Sequence, residues 1–278
     1  MRSAQPVPPA ELASSGTARI EVVTFDFGNT LVPVDRAALR RVVERTARDV
    51  AARSGPFDPD AFLRLWAEER ERQFAEALPR RREVDLGERA RRVLARLRGF
   101  RPPPPGEAWD EAALRRLVAP DEEAAVLDAY SAAFVALVPP RVEAAAVLAA
   151  LAGRRRLAIV SNWPLAATID RYVVARGWSE HLAAVVVSER VGAIKPDLAI
   201  FRAAEAALGL GPEARSVILH VGDDPLADVA GAKGAGWRAA HLGGRPEDSP
   251  LPLGSAEGGV APDLELASLD ELPALLGA

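Results

Sequence analysis

An aspartate directly follows an apolar run near the start of this sequence, which raises the question of what chemistry it performs. Asp26 ends the stretch "IEVVTFD" and is followed by a short turn-forming stretch, "FGNT". A carboxylate is ionised at neutral pH, so it can act as a nucleophile without a base, or it can bind a hard cation. A plainer interpretation stays open, in which Asp26 simply ends a strand.

Three further groups of polar residues follow or border apolar, β-branched runs in the second half of the chain. They are Ser161 and Asn162 after "LAIV", Asp223 and Asp224 after "ILHVG", and Lys195 in "GAIKPD". Each position also has a local explanation, because serine, asparagine and aspartate are common helix caps. Strand ends of a parallel sheet meet at one edge, however, so these positions together favour one shared site.

The rarity of lysine draws attention to one of these residues. Lys195 and Lys233 are the only lysines among 35 basic residues, and the others are arginines. Lysine carries a compact ammonium on a flexible stem, whereas arginine presents a planar fork. We therefore expect a lysine in so arginine-rich a chain to lie where a compact positive charge is required.

Composition excludes several classes of function. The chain has 278 residues, a net charge of −4, no cysteine and three histidines. Thiol catalysis, disulfides and zinc–thiolate sites are therefore excluded, and the acidic balance gives no electrostatic case for nucleic acid or an anionic membrane as partner. The sequence has neither an apolar signal core nor a run suited to spanning a bilayer, so we predict a cytoplasmic protein.

The hydrophobic period changes along the chain and predicts the domain organisation. Residues 1–18 are rich in Pro, Ala and Ser and predict a disordered leader. Residues 35–138 carry apolar positions at helical spacing, broken by the proline run at 101–106, which predicts an all-helical insertion. The rest alternates short β-branched runs with helical stretches. The prediction is an α/β fold with a doubly wound, Rossmann-like parallel sheet formed by residues 19–34 and 139–278.

The insertion contains one strongly basic stretch, "RRREVDLGERARRVLARLR" at residues 80–98. A phosphate-binding face is one interpretation of this arginine density. We favour a solvated helix surface with Val93, Leu94 and Leu97 turned inward, because charge runs usually face solvent.

Four motifs in order carry a resemblance to a known family: "FDFGNTL" (25–31), "IVSN" (159–162), "KP" (195–196) and "GDDPLAD" (222–228). With the helical insertion between the first two, the sequence resembles the haloacid dehalogenase-like hydrolase superfamily, and within it the members with a helical cap. The resemblance spans nearly the whole chain after residue 18. It implies that the insertion closes over the site and selects the substrate.

The resemblance also implies roles for individual residues. Asp26 would be the nucleophile, Ser161 would bind a phosphoryl oxygen, and Lys195 would neutralise developing charge. Mg²⁺ would be held by Asp26, Asp223 and the Gly28 carbonyl, with Asp228 supporting the cluster. The implied substrate contacts are Ser161, Asn162, Thr30 and Gly28. Asp224 is an extra carboxylate outside this set, and the buried-strand position of His220 favours a core residue.

Gly28 departs from the family pattern. Phosphatases of the family carry a second aspartate two residues after the nucleophile, which protonates the leaving group and then activates water. Loss of such general acid–base catalysis typically costs about 10²- to 10⁴-fold in rate. Asp35 is a speculative replacement, and we expect Gly28→Asp to raise turnover of alkyl phosphates about tenfold or more.

Three hypotheses follow from this departure. The first is a Mg²⁺-dependent phosphohydrolase for a small phosphate ester or acyl phosphate with a good leaving group. The second is a dehalogenase-like enzyme that attacks carbon through Asp26 without metal; family dehalogenases also lack the second aspartate, but their fourth motif resembles Ser-Asn rather than Gly-Asp. The third is a non-catalytic member that binds a phosphorylated ligand or a protein.

Overall fold

The computed structural model describes residues 19–54, 57–104, 106–254 and 259–278, and the predicted leader at 1–18 lies outside them. The elements in chain order are β1 (Val22–Phe25), α1 (Arg36–Ser54), α2 (Pro59–Ala77), α3 (Leu86–Leu97), α4 (Glu111–Leu117), α5 (Pro120–Leu137), α6 (Ala144–Ala152), β2 (Arg156–Ser161), α7 (Ala166–Ala175), β3 (Leu182–Val187), α8 (Ser188–Val191), α9 (Leu198–Ala207), β4 (Ile218–Gly222), α10 (Gly231–Ala235), β5 (Arg238–Leu242), β6 (Leu264–Leu266) and α11 (Glu271–Leu276). A π-helical turn, Pro225–Ala230, leads into α10.

The strands form one parallel sheet, in the order β3-β2-β1-β4-β5-β6. The first strand lies inside the sheet, where Thr24 is opposite both Ala158 of β2 and His220 of β4. Every residue of β1 is buried, which explains its continuous apolar, β-branched sequence, since such a strand is covered on both faces. The predicted doubly wound α/β fold is confirmed, and the strand order reverses beside β1, where such folds bind ligands.

Helices α1 to α5 form a helical insertion at residues 36–137, between β1 and β2. The buried face of α1, which includes Val42, Ala47 and Val50, packs against α5. A stack of aromatic rings ties α2 to α5, with the Trp66 ring 5.7 Å from that of Tyr130. Helices in the described residues are too short or too polar to cross a membrane.

Two arginines of the basic stretch are buried, so the prediction of a wholly solvated face is wrong for them. Arg89 and Arg92 of α3 are 4% and 6% exposed. Each guanidinium lies over an aromatic ring, 5.5 Å from the centre of Trp66 for Arg89 and 4.8 Å from that of Trp109 for Arg92. Cation–π contact compensates part of the free-energy cost of burying these guanidinium groups. The charge pattern of residues 80–98 does not predict these contacts, because the aromatic partners lie elsewhere in the chain.

The two connections that join the insertion to the sheet are tied together by Arg141. Its guanidinium donates to the carbonyls of Thr30 at 2.9 Å and Asn29 at 2.8 Å, both on the outgoing connection. Its backbone N–H donates to the Leu31 carbonyl at 3.0 Å. The same guanidinium reaches the Gly244 carbonyl at 3.2 Å. Arg141 therefore ties together the connection that leads into the insertion, the connection that leads out of it, and a later loop at Gly244.

Candidate active site

Side chains from several strand ends meet at one edge of the sheet. Asp26 follows β1, Ser161 ends β2 and Asp223 follows β4, while Lys195 comes from the connection between α8 and α9. The Ser161 hydroxyl donates to Asp26 Oδ1 at 2.9 Å, and the Lys195 ammonium donates to the same oxygen at 2.7 Å. Asp223 lies in the same carboxylate cluster as Asp26. The structure thus gathers four of the residues that the sequence assigned to one site.

Lys195 uses its full donor capacity inside the protein. Its ammonium donates to Asp26 Oδ1 at 2.7 Å, to Asp228 Oδ1 at 2.6 Å and to the Val160 carbonyl at 2.7 Å. Burial alone would lower the pKa of Lys195, but the two carboxylates outweigh it and raise that pKa well above its usual value. The site requires three bonds from one nitrogen, which explains why a lysine stands here in a chain rich in arginine.

Asp228 accepts a hydrogen bond from the Lys195 ammonium and positions it beside Asp26. Its Oδ1 accepts from Lys195 and lies 3.1 Å from the Nε2 of His220, whose Nδ1 is 2.8 Å from the Thr24 hydroxyl. Despite burial, Lys195 and His220 hold the pKa of Asp228 below its usual value, so it remains ionised. A Cβ on Gly222 would lie 2.1 Å from the Asp228 Cγ, so only glycine fits there. His220 is buried as predicted, and it also orients Asp228.

Three carboxylates form the candidate metal site. Asp26, Asp223 and Asp228 each offer an oxygen, and these oxygens lie within 4.8 Å of one another. Burial raises the pKa of Asp26 to about 7 and that of Asp223 to about 6, in both cases with help from neighbouring carboxylates. Their cationic neighbours are Lys195 and Arg245. The cluster keeps an excess of negative charge on hard oxygen donors, which suits a divalent cation such as Mg²⁺.

A loop at residues 243–254 covers part of this site through contacts that the sequence does not predict. Arg245 donates to Asp223 Oδ2 at 2.7 Å. The backbone N–H of Gly254 donates to Asp224 Oδ2 at 2.8 Å. Ser249 Oγ accepts from the side-chain amide of Asn29 at 3.1 Å. The composition of this segment predicts a loop, but sequence spacing gives no signal that pairs residue 245 with residue 223.

Gly28 lies under two apolar side chains. A Cβ at this position would be 2.7 Å from Leu251 Cδ1 and 3.2 Å from Trp163 Cζ3. The Trp163 ring is wedged edge-on against Phe27 and Phe134, with centres 5.3 and 5.2 Å away. Leucine can change rotamer whereas this tryptophan cannot shift without disturbing its neighbours. The space that a side chain at position 28 would need is therefore filled by Leu251 of the 243–254 loop and by Trp163.

Three residues predicted to contact substrate have other partners here. The amide of Asn162 accepts from the Lys195 N–H at 2.7 Å and donates to the Lys195 carbonyl at 3.1 Å, so it holds that backbone in place. Ser161 and Thr30 are fully buried beneath the cavity rather than on its wall. Their hydroxyls point to carboxylates, Ser161 to Asp26 at 2.9 Å and Thr30 to Asp223 at 3.5 Å.

Two further aspartates have capping roles. Asp35 Oδ1 accepts from the Ala38 N–H at 2.5 Å in the first turn of α1. Asp35 is not part of the cavity wall, so the structure gives no support to it as a replacement acid. Asp224 Oδ1 accepts from the N–H groups of Leu226 and Ala227, both at 2.8 Å, and caps the π-helical turn.

A cavity of about 340 Å³ separates the carboxylate cluster from the helical insertion. Its floor includes Asp26, Lys195 and Asp223. The helical insertion contributes side chains to the wall that include Leu39, Arg70, Phe74, Glu83, Arg89 and Tyr130. This volume suits a small organic ligand. The insertion thus supplies the surface that a substrate would meet opposite Asp26.

Comparison with known proteins places this arrangement in context. A family model described as haloacid dehalogenase-like hydrolase matches residues 20–236. Phosphoserine phosphatase of Thermus thermophilus is 38% identical over 102 residues, which are 36% of this chain and 36% of that protein. The pyrimidine 5'-nucleotidase YjjG of Escherichia coli is 31% identical over 153 residues, 54% of this chain and 62% of that protein. The chain therefore aligns with less than two thirds of either relative.

Solved structures of similar fold extend over most of the chain. The 2-haloacid dehalogenase from Pseudomonas syringae has a TM-score of 0.58 at 24% identity, covering 93% of this chain and 98% of that one. The putative hydrolase YfnB from Bacillus subtilis, solved with magnesium bound, has a TM-score of 0.59 at 19% identity, covering 94% and 100%. At these identities the likeness concerns the fold.

Proposed function

Because the chain belongs to the haloacid dehalogenase-like hydrolase family, we propose that it is a Mg²⁺-dependent phosphohydrolase in which Asp26 forms an aspartyl-phosphate intermediate. The observation that carries this proposal is the buried trio of Asp26, Asp223 and Asp228 beside Lys195. Its excess negative charge favours a divalent cation, whereas attack on carbon without metal has no use for that charge.

The bonding of Asp26 assigns its two oxygens different tasks. Oδ1 is held by Ser161 and Lys195, so we assign the attack on phosphorus to Oδ2. The new bond from Asp26 to phosphorus forms as the P–O bond to the leaving group breaks, and the departing oxygen leaves as an anion that can then take a proton from solvent water. Water then cleaves the acyl phosphate, which releases inorganic phosphate and restores Asp26. Lys195 stabilises the negative charge that develops in both steps.

The candidate ligands of Mg²⁺ are Asp26, Asp223 and the Gly28 carbonyl. When bound, the cation would neutralise charge on the phosphoryl group and orient it toward Asp26. Both oxygens of Asp228 are already engaged, Oδ1 by Lys195 and His220 and Oδ2 by the Asp224 N–H at 2.9 Å. We therefore assign Asp228 to positioning Lys195 rather than to direct coordination.

Position 28 restricts the substrate. Glycine cannot donate a proton to the leaving oxygen, and Leu251 and Trp163 occupy the space that an acid there would need. Substrates whose leaving group is itself a stable anion avoid this requirement. We therefore propose aryl phosphates or acyl phosphates as the substrates, rather than simple alkyl esters.

One observation favours a second candidate, a dehalogenase-like hydrolase. Arg245 is bonded to Asp223 at 2.7 Å and already places a positive charge where a metal would be held. Trp163 and Leu251 add an apolar wall near Asp26. In this reaction Asp26 would attack the carbon of a 2-haloacid, halide would leave, and no proton donor would be required at position 28.

The two candidates give different results in one set of assays. The phosphohydrolase should release 4-nitrophenol from 4-nitrophenyl phosphate with Mg²⁺, lose that activity in EDTA, and lose it in Asp26→Asn. Asp49→Asn is the matched control, because Asp49 is on α1 and pairs only with exposed Arg45 among the described residues. Metal-independent release of chloride from 2-chloropropionate would support the second candidate and overturn the first. Inactivity toward both substrates would overturn both proposals.

A further inference from the structure

Arg89 lies in the wall of the cavity with part of its guanidinium unsatisfied. It is 4% exposed, and its Nε donates to the Gln73 side-chain oxygen at 2.9 Å. Its Nη2 is buried and has no hydrogen-bond partner among the described residues. No ion pair of Arg89 is formed within those residues, although the carboxylates of Glu83 and Glu69 are near enough to raise its pKa. A buried donor left without a partner costs free energy, and more so when the group is charged.

Gln73 fixes this guanidinium in position. Its side-chain amide donates to the Asp85 carbonyl at 2.8 Å, and its oxygen accepts from Arg89. Asp85 in turn caps α3, where Arg89 is located. The arginine is therefore held at its Nε edge, while the hydrogen-bonding capacity of Nη2 stays unused within the described residues. Such an anchored fork is preorganised for a carboxylate or phosphate.

Two further donors lie beside Arg89. Burial, together with the neighbouring Arg70, lowers the pKa of Arg89 to about 10, so Arg89 stays charged at neutral pH. Burial raises the pKa of the Tyr130 phenol to about 12, so its hydroxyl keeps a proton to donate. All three side chains line the cavity that also contains Asp26.

We propose that Arg89, with Arg70 and Tyr130, binds a second anionic group of the substrate, a carboxylate or a phosphate remote from the phosphoryl group that is transferred. This inference rests on the proposed function, because it concerns the same cavity. Leu39, Phe74 and Trp163 line the space around these donors and Asp26. The expected substrate is therefore a compact organic phosphate with an apolar or aromatic body and an anionic group at its far end.

Arg92 offers a matched control on the same helix. It is buried like Arg89, and its Nε and Nη1 also lack partners among the described residues. Its guanidinium lies over Trp109 and pairs with Glu88, and it is not part of the cavity wall. Arg92→Met therefore removes a buried arginine of α3 without touching the proposed subsite.

The test compares kcat/KM for phenyl phosphate, 4-carboxyphenyl phosphate and the 1,4-phenylene bisphosphate, in the full chain with Mg²⁺. We expect the native protein to prefer the two substrates with a second anion by roughly ten- to hundredfold, the range for hydrogen bonds to charged groups. Arg89→Met should reduce that preference to near one, Arg92→Met should keep it, and Tyr130→Phe should reduce it severalfold. Comparing ratios between variants cancels differences in leaving-group chemistry. The larger of the two preferences identifies carboxylate or phosphate as the native group.

A binding experiment keeps the inference separate from the proposed function. Calorimetry with phenylphosphonate and 4-phosphonobenzoate requires no turnover. If no aryl phosphate is hydrolysed but 4-phosphonobenzoate binds about tenfold tighter in an Arg89-dependent manner, the subsite stands and the phosphohydrolase proposal fails. An equal affinity for both phosphonates, or a preference that survives Arg89→Met, overturns the subsite. If Arg89→Met does not fold, Tyr130→Phe, which removes one oxygen, decides the outcome in both assays.

Discussion

The interpretation of Gly28 can be tested by supplying the missing acid, and the structure shows that two changes are needed. Gly28→Asp alone places its Cβ 2.7 Å from Leu251 Cδ1 and 3.2 Å from Trp163 Cζ3. Forcing extra atoms into a packed site typically costs about 1–3 kcal/mol. At about 2–4 °C per kcal/mol, the melting temperature of Gly28→Asp should fall by roughly 2–12 °C. Adding Leu251→Ala removes the closest contact and should restore most of that loss.

The rate gain should depend on both the leaving group and Leu251. A positioned general acid contributes about 10²- to 10⁴-fold. We expect kcat/KM for an alkyl phosphate to rise at least tenfold in Gly28→Asp with Leu251→Ala, and by less in Gly28→Asp alone. For 4-nitrophenyl phosphate the change should stay within about threefold, because nitrophenolate leaves without a proton. The roughly tenfold gain that the sequence led us to expect for Gly28→Asp alone is therefore expected only when Leu251→Ala accompanies it.

The assay is steady-state release of inorganic phosphate from both substrates by the native protein, each single variant and the double variant, alongside thermal melts. Leu251→Ala alone is the control for effects of opening the site. Equal gains with alkyl and aryl substrates would mean that the new carboxylate does not act as an acid. An unchanged alkyl rate in a double variant that melts like the native protein would refute the explanation of Gly28.

Further variants test the surroundings of the site. Arg245→Gln should lower the half-saturating Mg²⁺ concentration roughly three- to tenfold, because the guanidinium no longer competes for Asp223; a higher requirement in a Mg²⁺ titration would contradict this. Asn162→Leu should lower the free energy of unfolding in urea by about 1–3 kcal/mol, since both backbone groups of Lys195 lose a partner. Unchanged stability would argue that the two bonds from Asn162 do not stabilise the Lys195 backbone. Burial raises the pKa of Glu83 above 4.5, so its contribution to stability is present below that pH and is lost as pH rises through the raised pKa. Glu83→Gln should thus gain stability relative to the native protein as the pH rises above 4.5, and a difference in melting temperature that does not change with pH would contradict this.

The parallel sheet and the core of the site were predictable from the sequence because both depend on patterns of a few neighbouring residues. Apolar, β-branched runs mark the buried strands, and a polar residue at the end of each run must lie at the same edge of the sheet. That rule brings Asp26, Ser161 and Asp223 together without knowledge of any distance, whereas Lys195 lies beyond the short helix α8 that follows β3. The rarity of lysine drew attention to Lys195, whose ammonium has three hydrogen-bond partners, and equally to Lys233, which forms a partly exposed ion pair with Asp263.

What the sequence did not predict depends on contacts between distant segments. Asn162 lines the cavity, and the bonds of its amide to the Lys195 backbone, 33 residues later, have no signal in the sequence. Arg89 lies in a stretch whose charge favours solvent, and only its contacts with Trp66 and Gln73 explain its burial. Leu251 covers Gly28 from a loop more than 200 residues later. Contacts between residues so far apart in the chain cannot be predicted from hydrophobic periodicity or from the spacing of residues within a motif.

The clamp formed by Arg141 has a consequence for how this protein can evolve. Since it binds the carbonyls of Asn29 and Thr30 on one connection and lies itself on the other, the helical block is attached to the sheet at what is in effect one point. When the two ends of an inserted segment lie close together, the insertion does not disturb the domain that receives it, so such positions tolerate insertions. Exchanging residues 36–137 for an unrelated helical module would change which molecules are recognised while the register of β1 between β2 and β4 stays the same.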